Sequence, residues 1–220
     1  MTKQETINGI IEKEWTMFHN VNGDDRTGCQ EDRHTFEIMR RAQYDAWDEA
    51  TVSSFYNDIC TAEQEGRNLS REKYIRMMER TDPAAYENFC GELPEVSPEK
   101  RALADALWQK YLEQTLAMRK EYPFLALGGR PTSAEDENHW ASVETYQISE
   151  SLTYSEATLR SLLAHCKTLE AQGVSLVMEI QRNTVVGLGF ASLQEAEDAM
   201  TRQLIRVSGE SCCACHGRLD

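Results

Sequence analysis

The sequence lacks a long apolar run and is poor in positive charge, and both shortages limit its partners. No apolar run approaches the roughly 18 residues that a membrane-spanning helix needs, and the first residues show no basic region followed by an apolar one. Lysine and arginine total 23 against 37 aspartates and glutamates, which gives a net charge of −14. A field of that sign repels phosphate backbones and anionic lipid headgroups. We therefore expect a cytoplasmic protein that binds neither nucleic acid nor membranes.

The sequence also lacks the motifs of several common enzyme classes and the pattern of a β-sheet. It has no Walker loop, no G-x-G-x-x-G and no His-Glu-x-x-His. No segment longer than a few residues alternates polar and apolar side chains, whereas apolar residues recur at helical spacing along most of the chain. The predicted fold class is all-α.

An internal repeat indicates two related halves. A shift of 107 residues aligns 35–69 with 142–176 without a gap, and nine of these 35 positions are identical. The apolar positions stay in register, since Trp47 meets Tyr154. The predicted architecture is a helical repeat or bundle of two halves with about four helices each, and a cleft between them where ligand sites often lie. The predicted divisions are an N-terminal half 1–90, a proline-containing linker 91–99, a C-terminal half 100–207 and a cysteine-rich flexible tail 208–220.

One predicted helix carries a cation and an amide on its apolar face. The residues on that face are Phe36, Met39, Arg40, Gln43, Tyr44 and Trp47. A buried guanidinium without a partner costs roughly several kcal/mol, so a carboxylate, a backbone carbonyl or an anionic ligand should meet Arg40. The alternative is that Arg40 extends its guanidinium to the rim while Gln43 bonds a neighbouring helix.

The candidate ligand-binding residues lie on this helix, on its repeat partner and in two loops that contain glycine and arginine. They are Arg26, Gln30, Arg40, Gln43, Arg130, Glu37, Glu144 and Tyr154. Glu37 and Glu144 are equivalent in the repeat, so a pseudo-two-fold axis could bring both carboxylates to one metal site, as in carboxylate-bridged bundles. The alternative is that they are solvated acids near helix starts.

The seven cysteines suggest chemistry at two places. Cys29 precedes a helix and has cations nearby, which favours the thiolate and makes it a candidate catalytic nucleophile or redox residue; the alternative is a small buried side chain. Near the carboxyl end, Cys212, Cys213, Cys215 and His216 contain the string C-x-x-C-H, which can bind metal or haem. We expect a flexible end that binds metal or oxidises.

The strings CQEDRHTFEIMRRAQYDAW, EGRNLSREKYIRMME and ETYQISESLTYSEATLR resemble an uncharacterised bacterial family, domain of unknown function 4125, over about residues 11–199. The matching residues are Cys29, Gln30, Phe36, Ile38, Met39, Arg40, Thr153, Tyr154, Ser155 and Glu156. His34 and the cysteine-rich tail are not part of the pattern. The resemblance implies no activity.

Three functions therefore remain open. The first is binding of a small polar or anionic ligand in the cleft between the halves. The second is a metal- or cysteine-dependent enzyme at the same cleft. The third is a protein-interaction scaffold without a catalytic site, which requires Arg40 and Gln43 to be satisfied in the core and no concave pocket between the halves.

Overall fold

The computed structural model describes residues 1–21, 30–133 and 141–214, and for 207–214 it describes the backbone alone. Every regular element in these ranges is helical, so the prediction of an all-α fold is confirmed. The helices are α1 (Lys3–His19), α2 (Arg33–Asp45), α3 (Glu49–Gln64), α4 (Leu69–Thr81), α5 (Pro83–Phe89), α6 (Pro98–Glu121), α7 (Pro123–Leu127), α8 (Val143–Ser151), α9 (Glu156–Ala171), α10 (Leu176–Gly187) and α11 (Leu193–Ala214). A short 3-10 turn, Cys90–Glu92, lies between α5 and α6.

Short polar side chains start several of these helices. Asp48 accepts a hydrogen bond from a backbone N–H in the first turn of α3, and Ser97 and Ser155 do the same for α6 and α9. Each such bond satisfies one of the N–H groups that have no partner within the helix. Pro98 occupies the first position of α6, where no N–H is needed.

Two glycines end helices in the same way. Gly66 follows α3 and Gly173 follows α9, and both have φ of +71°. This left-handed conformation is readily adopted by glycine and lets the next backbone N–H bond back into the last turn. Arg67 N donates to Ala62 O at 2.8 Å, and Val174 N donates to Leu169 O at 2.9 Å. The chain therefore turns from α3 into α4 and from α9 into α10 with matching geometry.

An aromatic cluster forms the centre of the core. Trp47 packs edge-on against Tyr44, Phe55 and Tyr154, with ring centroids 5.1–6.0 Å apart. All four side chains are buried, and burial of each large apolar side chain stabilises the fold by about 1.5–3 kcal/mol. Because Tyr154 belongs to the segment before α9, this cluster joins early and late parts of the chain.

Helices that are distant in sequence pack against each other. α1 packs on α3 and α6 packs on α9, and α3 contacts α9 through two hydroxyl pairs. Thr51 Oγ1 lies 2.8 Å from Ser161 Oγ, and Ser54 Oγ lies 2.7 Å from Thr158 Oγ1. α2 packs against α10, and α4 packs against α8. A space remains beside these contacts, and α1, α2, α4, α8 and α10 surround it.

The last helix extends beyond residue 207, where the sequence predicts a flexible tail. Its backbone is helical to Ala214, and the remaining residues lie outside the described part. No helix in the described ranges is long and apolar enough to cross a membrane.

Candidate ligand-binding site

A cavity of about 450 Å³ opens among the five crossing helices. Its volume is within the range of about 300–1,000 Å³ that small-molecule sites occupy. The lining residues are Glu14, Phe18, Asp32, Thr35, Phe36, Met39, Arg40, Gln43, Ser70, Lys73, Tyr74, Arg130, Val143, Tyr146, Gln147, Ile180, Gln181 and Thr184. The cavity therefore combines an apolar wall with a polar, charged floor.

Aromatic rings form the apolar wall. Phe18 and Phe36 are stacked, with their centroids 5.3 Å apart, and Tyr74 stacks on Phe18 at 6.4 Å. Trp15 packs edge-on against Phe36 behind this wall. Met39 lies on the same side and is 49% exposed. Such a wall gives the cavity an apolar side.

Arg40 has partners for all five of its guanidinium N–H groups. Nε donates to Glu14 Oε2 at 2.9 Å, and Nη1 donates to Glu150 Oε1 at 2.9 Å and to Gln43 Oε1 at 3.2 Å. Nη2 donates to Glu14 Oε1 and to the Tyr44 hydroxyl. Burial lowers the pKa of Arg40, but the carboxylates outweigh burial and hold it above its usual range. Of the three kinds of partner expected for Arg40, the structure shows carboxylates; Arg40 does not extend to the rim, whereas Gln43 does bond Glu150 on a neighbouring helix.

Glu150 is the centre of this buried network. It accepts hydrogen bonds from Arg40, from the Tyr154 hydroxyl at 2.9 Å and from Lys73 Nζ at 3.3 Å. Burial raises the pKa of this carboxyl, but the two cations outweigh burial and hold it well below its usual range. The Glu150 carboxylate is therefore ionised at neutral pH.

Lys73 and Tyr146 form the side of the floor nearest α8. Lys73 Nζ lies 2.8 Å from the Tyr146 oxygen and 4.2 Å from its ring centroid. Arg130 Cζ also lies over this ring, 5.3 Å from the centroid. Burial lowers the pKa of Lys73, but Tyr146 and Glu150 outweigh burial and hold it above its usual range. Lys73 is therefore an ammonium ion at neutral pH.

A second, smaller cavity of about 20 Å³ adjoins the floor. It shares Glu14, Arg40, Ser70 and Lys73 with the larger cavity and also reaches Glu150. It therefore extends the open space of the floor towards Glu150.

The structure brings four of the predicted ligand-binding residues together. Arg40, Gln43 and Arg130 line the cavity, and the Tyr154 hydroxyl joins them through Glu150. Gln30 is buried elsewhere, where its carboxamide donates to Phe18 O at 2.8 Å.

The remaining predicted residues are separated from the floor or lie outside the described ranges. Glu37 pairs with Arg33, and Glu144 pairs with Arg80, so the two carboxylates have different cationic partners. The described residues contain no group of three metal-capable side chains. Arg26, Cys29, Cys215 and His216 lie outside the described residues, and Cys212 and Cys213 lie where α11 is described by its backbone alone.

Sequence reasoning missed Glu14, Glu150 and Lys73 as site residues. Glu14 gave a signal, because it lies near the apolar stripe of α1 just as Arg40 lies on the apolar face of α2. A buried acid and a buried base on two amphipathic helices are natural partners. The indication for Glu150 was weaker: it is the repeat equivalent of Gln43, which lies on the apolar face of α2. Nothing in the sequence indicated Lys73 as a partner for Glu150.

Ser70 and Lys73 are one turn apart on α4, and both line the cavity. A lysine that activates a serine must be neutral to accept its proton. The neighbours of Lys73 raise its pKa and keep it charged. A charged Lys73 therefore cannot accept the Ser70 proton.

The family model described as "Protein of unknown function (DUF4125)" matches residues 4–198. No curated protein and no solved structure matches the chain. The cavity and its floor lie within the matched range.

Proposed function

The chain belongs to the DUF4125 family, and we propose that it is a cytoplasmic binding protein for a small polar or anionic molecule. One observation carries this proposal: a cavity of about 450 Å³ combines an aromatic wall with a floor of buried ions. Ligand sites are typically concave, mostly apolar spaces of this volume with a few convergent polar groups, and the lining here has that composition.

The charges around the cavity support a polar or anionic ligand. The three lining cations are Arg40, Lys73 and Arg130, and the two lining carboxylates are Glu14 and Asp32. The whole chain carries a net charge of −14. With Glu150 counted in the floor, three cations face three carboxylates, so the surroundings of the cavity are close to neutral within a strongly acidic protein, which lowers the cost of bringing in an anion compared with the rest of the surface.

We also propose that the two halves are related by duplication and that the cavity lies between them. The helix boundaries support this: α9 begins and ends 107 residues after α3 begins and ends, and α10 begins 107 residues after α4 begins. The packing is reciprocal under this shift, because α2 with α10 corresponds to α8 with α4. The hydroxyl pair Thr51–Ser161 likewise corresponds to Thr158–Ser54.

The cavity itself is less symmetric than the helices around it. Under the same shift Arg40 corresponds to Gln147 and Gln43 corresponds to Glu150. Arg40 and Gln147 both line the cavity, yet only one of these two is charged. A duplicated scaffold with a diverged pair of this kind suits a ligand without two-fold symmetry.

The scaffold hypothesis meets only one of its two conditions. Arg40 and Gln43 are satisfied by hydrogen bonds, as it requires. It also requires the absence of a concave pocket between the halves, and the presence of the cavity counts against the hypothesis. We therefore favour ligand binding.

Native mass spectrometry with elemental analysis tests the proposal on the full chain and on a copy that ends at Val207. We expect a retained small molecule in both forms. Gln181→Trp should abolish retention, because this side chain lines the cavity and an indole would fill it. Arg182→Trp is the matched control, since the neighbouring side chain is exposed on the same helix.

Other results have distinct meanings. Stoichiometric metal in both forms would favour the enzyme hypothesis, and metal in the full chain alone would assign it to the cysteine-rich end. Equal retention by Gln181→Trp and the wild type would show that the cavity is not the binding site. No retained molecule, together with no thermal stabilisation by a panel of small carboxylates, phosphates, amides and amines, would contradict the proposal.

A further inference from the structure

The carboxylates in the floor of the cavity have their oxygens occupied. Glu14 Oε2 accepts from Arg40 and from the Tyr44 hydroxyl at 2.7 Å, and Glu14 Oε1 accepts from Arg40. Glu150 Oε1 accepts from Arg40 and Tyr154, and Oε2 accepts from Lys73. These two groups therefore offer little to a ligand that donates hydrogen bonds.

Most donors in the floor are occupied as well. The five N–H groups of Arg40 all have acceptors, so this guanidinium cannot also bind a ligand without giving one up. The hydroxyl hydrogens of Tyr44 and Tyr154 are donated to Glu14 and Glu150. Arg40 therefore stabilises the buried network and has no N–H group left for a ligand in the cavity.

Tyr146 and Lys73 differ from these groups because each retains a donor. An ammonium can only donate, so the Tyr146 oxygen accepts the 2.8 Å bond from Lys73 and its own hydrogen remains available. Two of the three ammonium N–H groups of Lys73 go to Tyr146 and Glu150. Within the described part of the chain, no acceptor is seen for the third or for the Tyr146 hydrogen. Lys73 is only 8% exposed, and a buried donor without an acceptor is costly.

We propose that the ligand carries an oxyanion, a carboxylate or a phosphate group, and that the Tyr146 hydroxyl and the Lys73 ammonium bind it. This inference rests on the proposed function and names the chemical class of its ligand. A hydrogen bond from a cation to an oxyanion is about twice as strong as one between neutral groups. Ser70 lines the same space near the amino end of α4, where the helix dipole also favours negative charge.

The rest of the cavity lining indicates the chemical character of the remainder of the ligand. The rings of Phe18, Phe36 and Tyr74 give the lining an apolar side. Arg130, at the exposed edge, adds a cation that attracts an anion towards Tyr146. The expected ligand is a small molecule with an apolar body and one oxyanion.

Isothermal titration of the full chain with four matched probes tests this. Benzoate and phenyl phosphate carry an oxyanion, benzamide is neutral and benzylammonium is a cation, while all four share one ring. We expect the two anions to bind at least tenfold more tightly than benzamide, and we expect no binding of benzylammonium.

Two substitutions locate the subsite. Tyr146→Phe removes only the hydroxyl and keeps the Lys73–Glu150 pair, and it should weaken benzoate binding roughly tenfold or more. Lys73→Met should weaken it further, with its fold checked by circular dichroism. Tyr86→Phe and Lys110→Met are the controls, because neither side chain lines the cavity, and neither should change benzoate binding.

The inference and the proposed function fail in different ways. Equal binding of benzamide and benzoate, or undiminished benzoate binding by Tyr146→Phe, would overturn the oxyanion inference. If Gln181→Trp nevertheless prevented binding of these probes, the proposal that ligands bind in the cavity would be retained. Failure of all four probes at millimolar concentration would also overturn the inference, and the proposed function would then depend on the molecule retained in native mass spectrometry.

Discussion

At the scale of single residues, the main feature is a group of ions that neutralise one another inside the fold. Arg40 and Lys73 are cations, Glu14 and Glu150 are anions, and all four side chains are at most 12% exposed. A buried ion pair contributes little net stability, but removing one partner leaves the other charge uncompensated. The effect of a substitution here therefore depends on what it leaves behind.

Arg40→Leu should lower the free energy of unfolding by about 3–5 kcal/mol, because among the described residues Arg40 is the one ion-pair partner of Glu14 and one of two for Glu150. Urea denaturation followed by circular dichroism measures this. Arg33→Leu on the same helix is the control, since its pairs with Glu12 and Glu37 are exposed to solvent and should contribute far less to stability. Equal effects of the two substitutions would contradict this role for Arg40.

The same network predicts how stability depends on pH. The pKa of Glu150 is held well below its usual 4.5 in the folded chain. The stabilisation is therefore complete above the unfolded pKa and is lost as pH falls below it, because the unfolded chain takes up the proton first. Arg40, Lys73, Tyr154 and Gln43 are the groups that face this carboxyl.

Glu150→Gln should therefore be less stable than the wild type at pH 7 but should lose less stability between about pH 5 and pH 3. Urea denaturation at pH 7, 5, 4 and 3 measures both curves. If the two curves ran parallel over this range, protonation of Glu150 would not be a source of the acid sensitivity.

At the scale of elements, the contact between α2 and α10 sets one wall of the cavity. Asn183 Nδ2 donates to Ala42 O at 3.2 Å, so the side chain of one helix reaches the backbone of the other. A Cβ atom at Gly187 would lie only 2.7 Å from Ile38 Cγ2. The absence of a side chain at Gly187 therefore permits the close approach of these helices.

Gly187→Ala should destabilise the fold by about 1–3 kcal/mol, because the added methyl group overpacks the contact with Ile38. In an Ile38→Ala background the same substitution should cost much less, since the opposing methyl groups are gone. Urea denaturation of the four proteins in this double-mutant cycle measures the coupling. A cost that is equal in both backgrounds would mean that Ile38 is not the group that Gly187 accommodates.

At the scale of the whole molecule, the early and late helices are interlocked. α2 and α4 pack against α10 and α8, and α3 packs against α9. The aromatic cluster around Trp47 also includes Tyr154. The early and the late helices therefore depend on each other to cover apolar surface.

Division of the chain between residues 94 and 95, in the non-helical segment before α6, should leave two fragments that do not fold alone. Mixing the fragments should restore cooperative thermal unfolding and a single species in size-exclusion chromatography. As a control, a protease site inserted at the same place and cut in the folded protein should leave the fragments associated. Cooperative unfolding of each fragment by itself, without association, would contradict this.

The local features of this fold could be predicted from the sequence because their causes are local. Helical periodicity, the caps Asp48, Ser97 and Ser155, and Gly66 after α3 each act within a few residues of where they stand. The need of Arg40 for a partner also follows from its place on an apolar face. The cost of an unpaired buried charge does not depend on which partner is found.

The identity of the partners was decided by tertiary structure. Glu14 and Glu150 are 26 and 110 residues from Arg40, and Tyr146 is 73 residues from Lys73. A helical pattern states which face of a helix is buried, but many pairings of helices can bury the same faces. Only the packing of α1 on α2, of α1 on α4 and of α4 on α8 brings these side chains together, and α10, packed on α2, completes the lining of the cavity beside them.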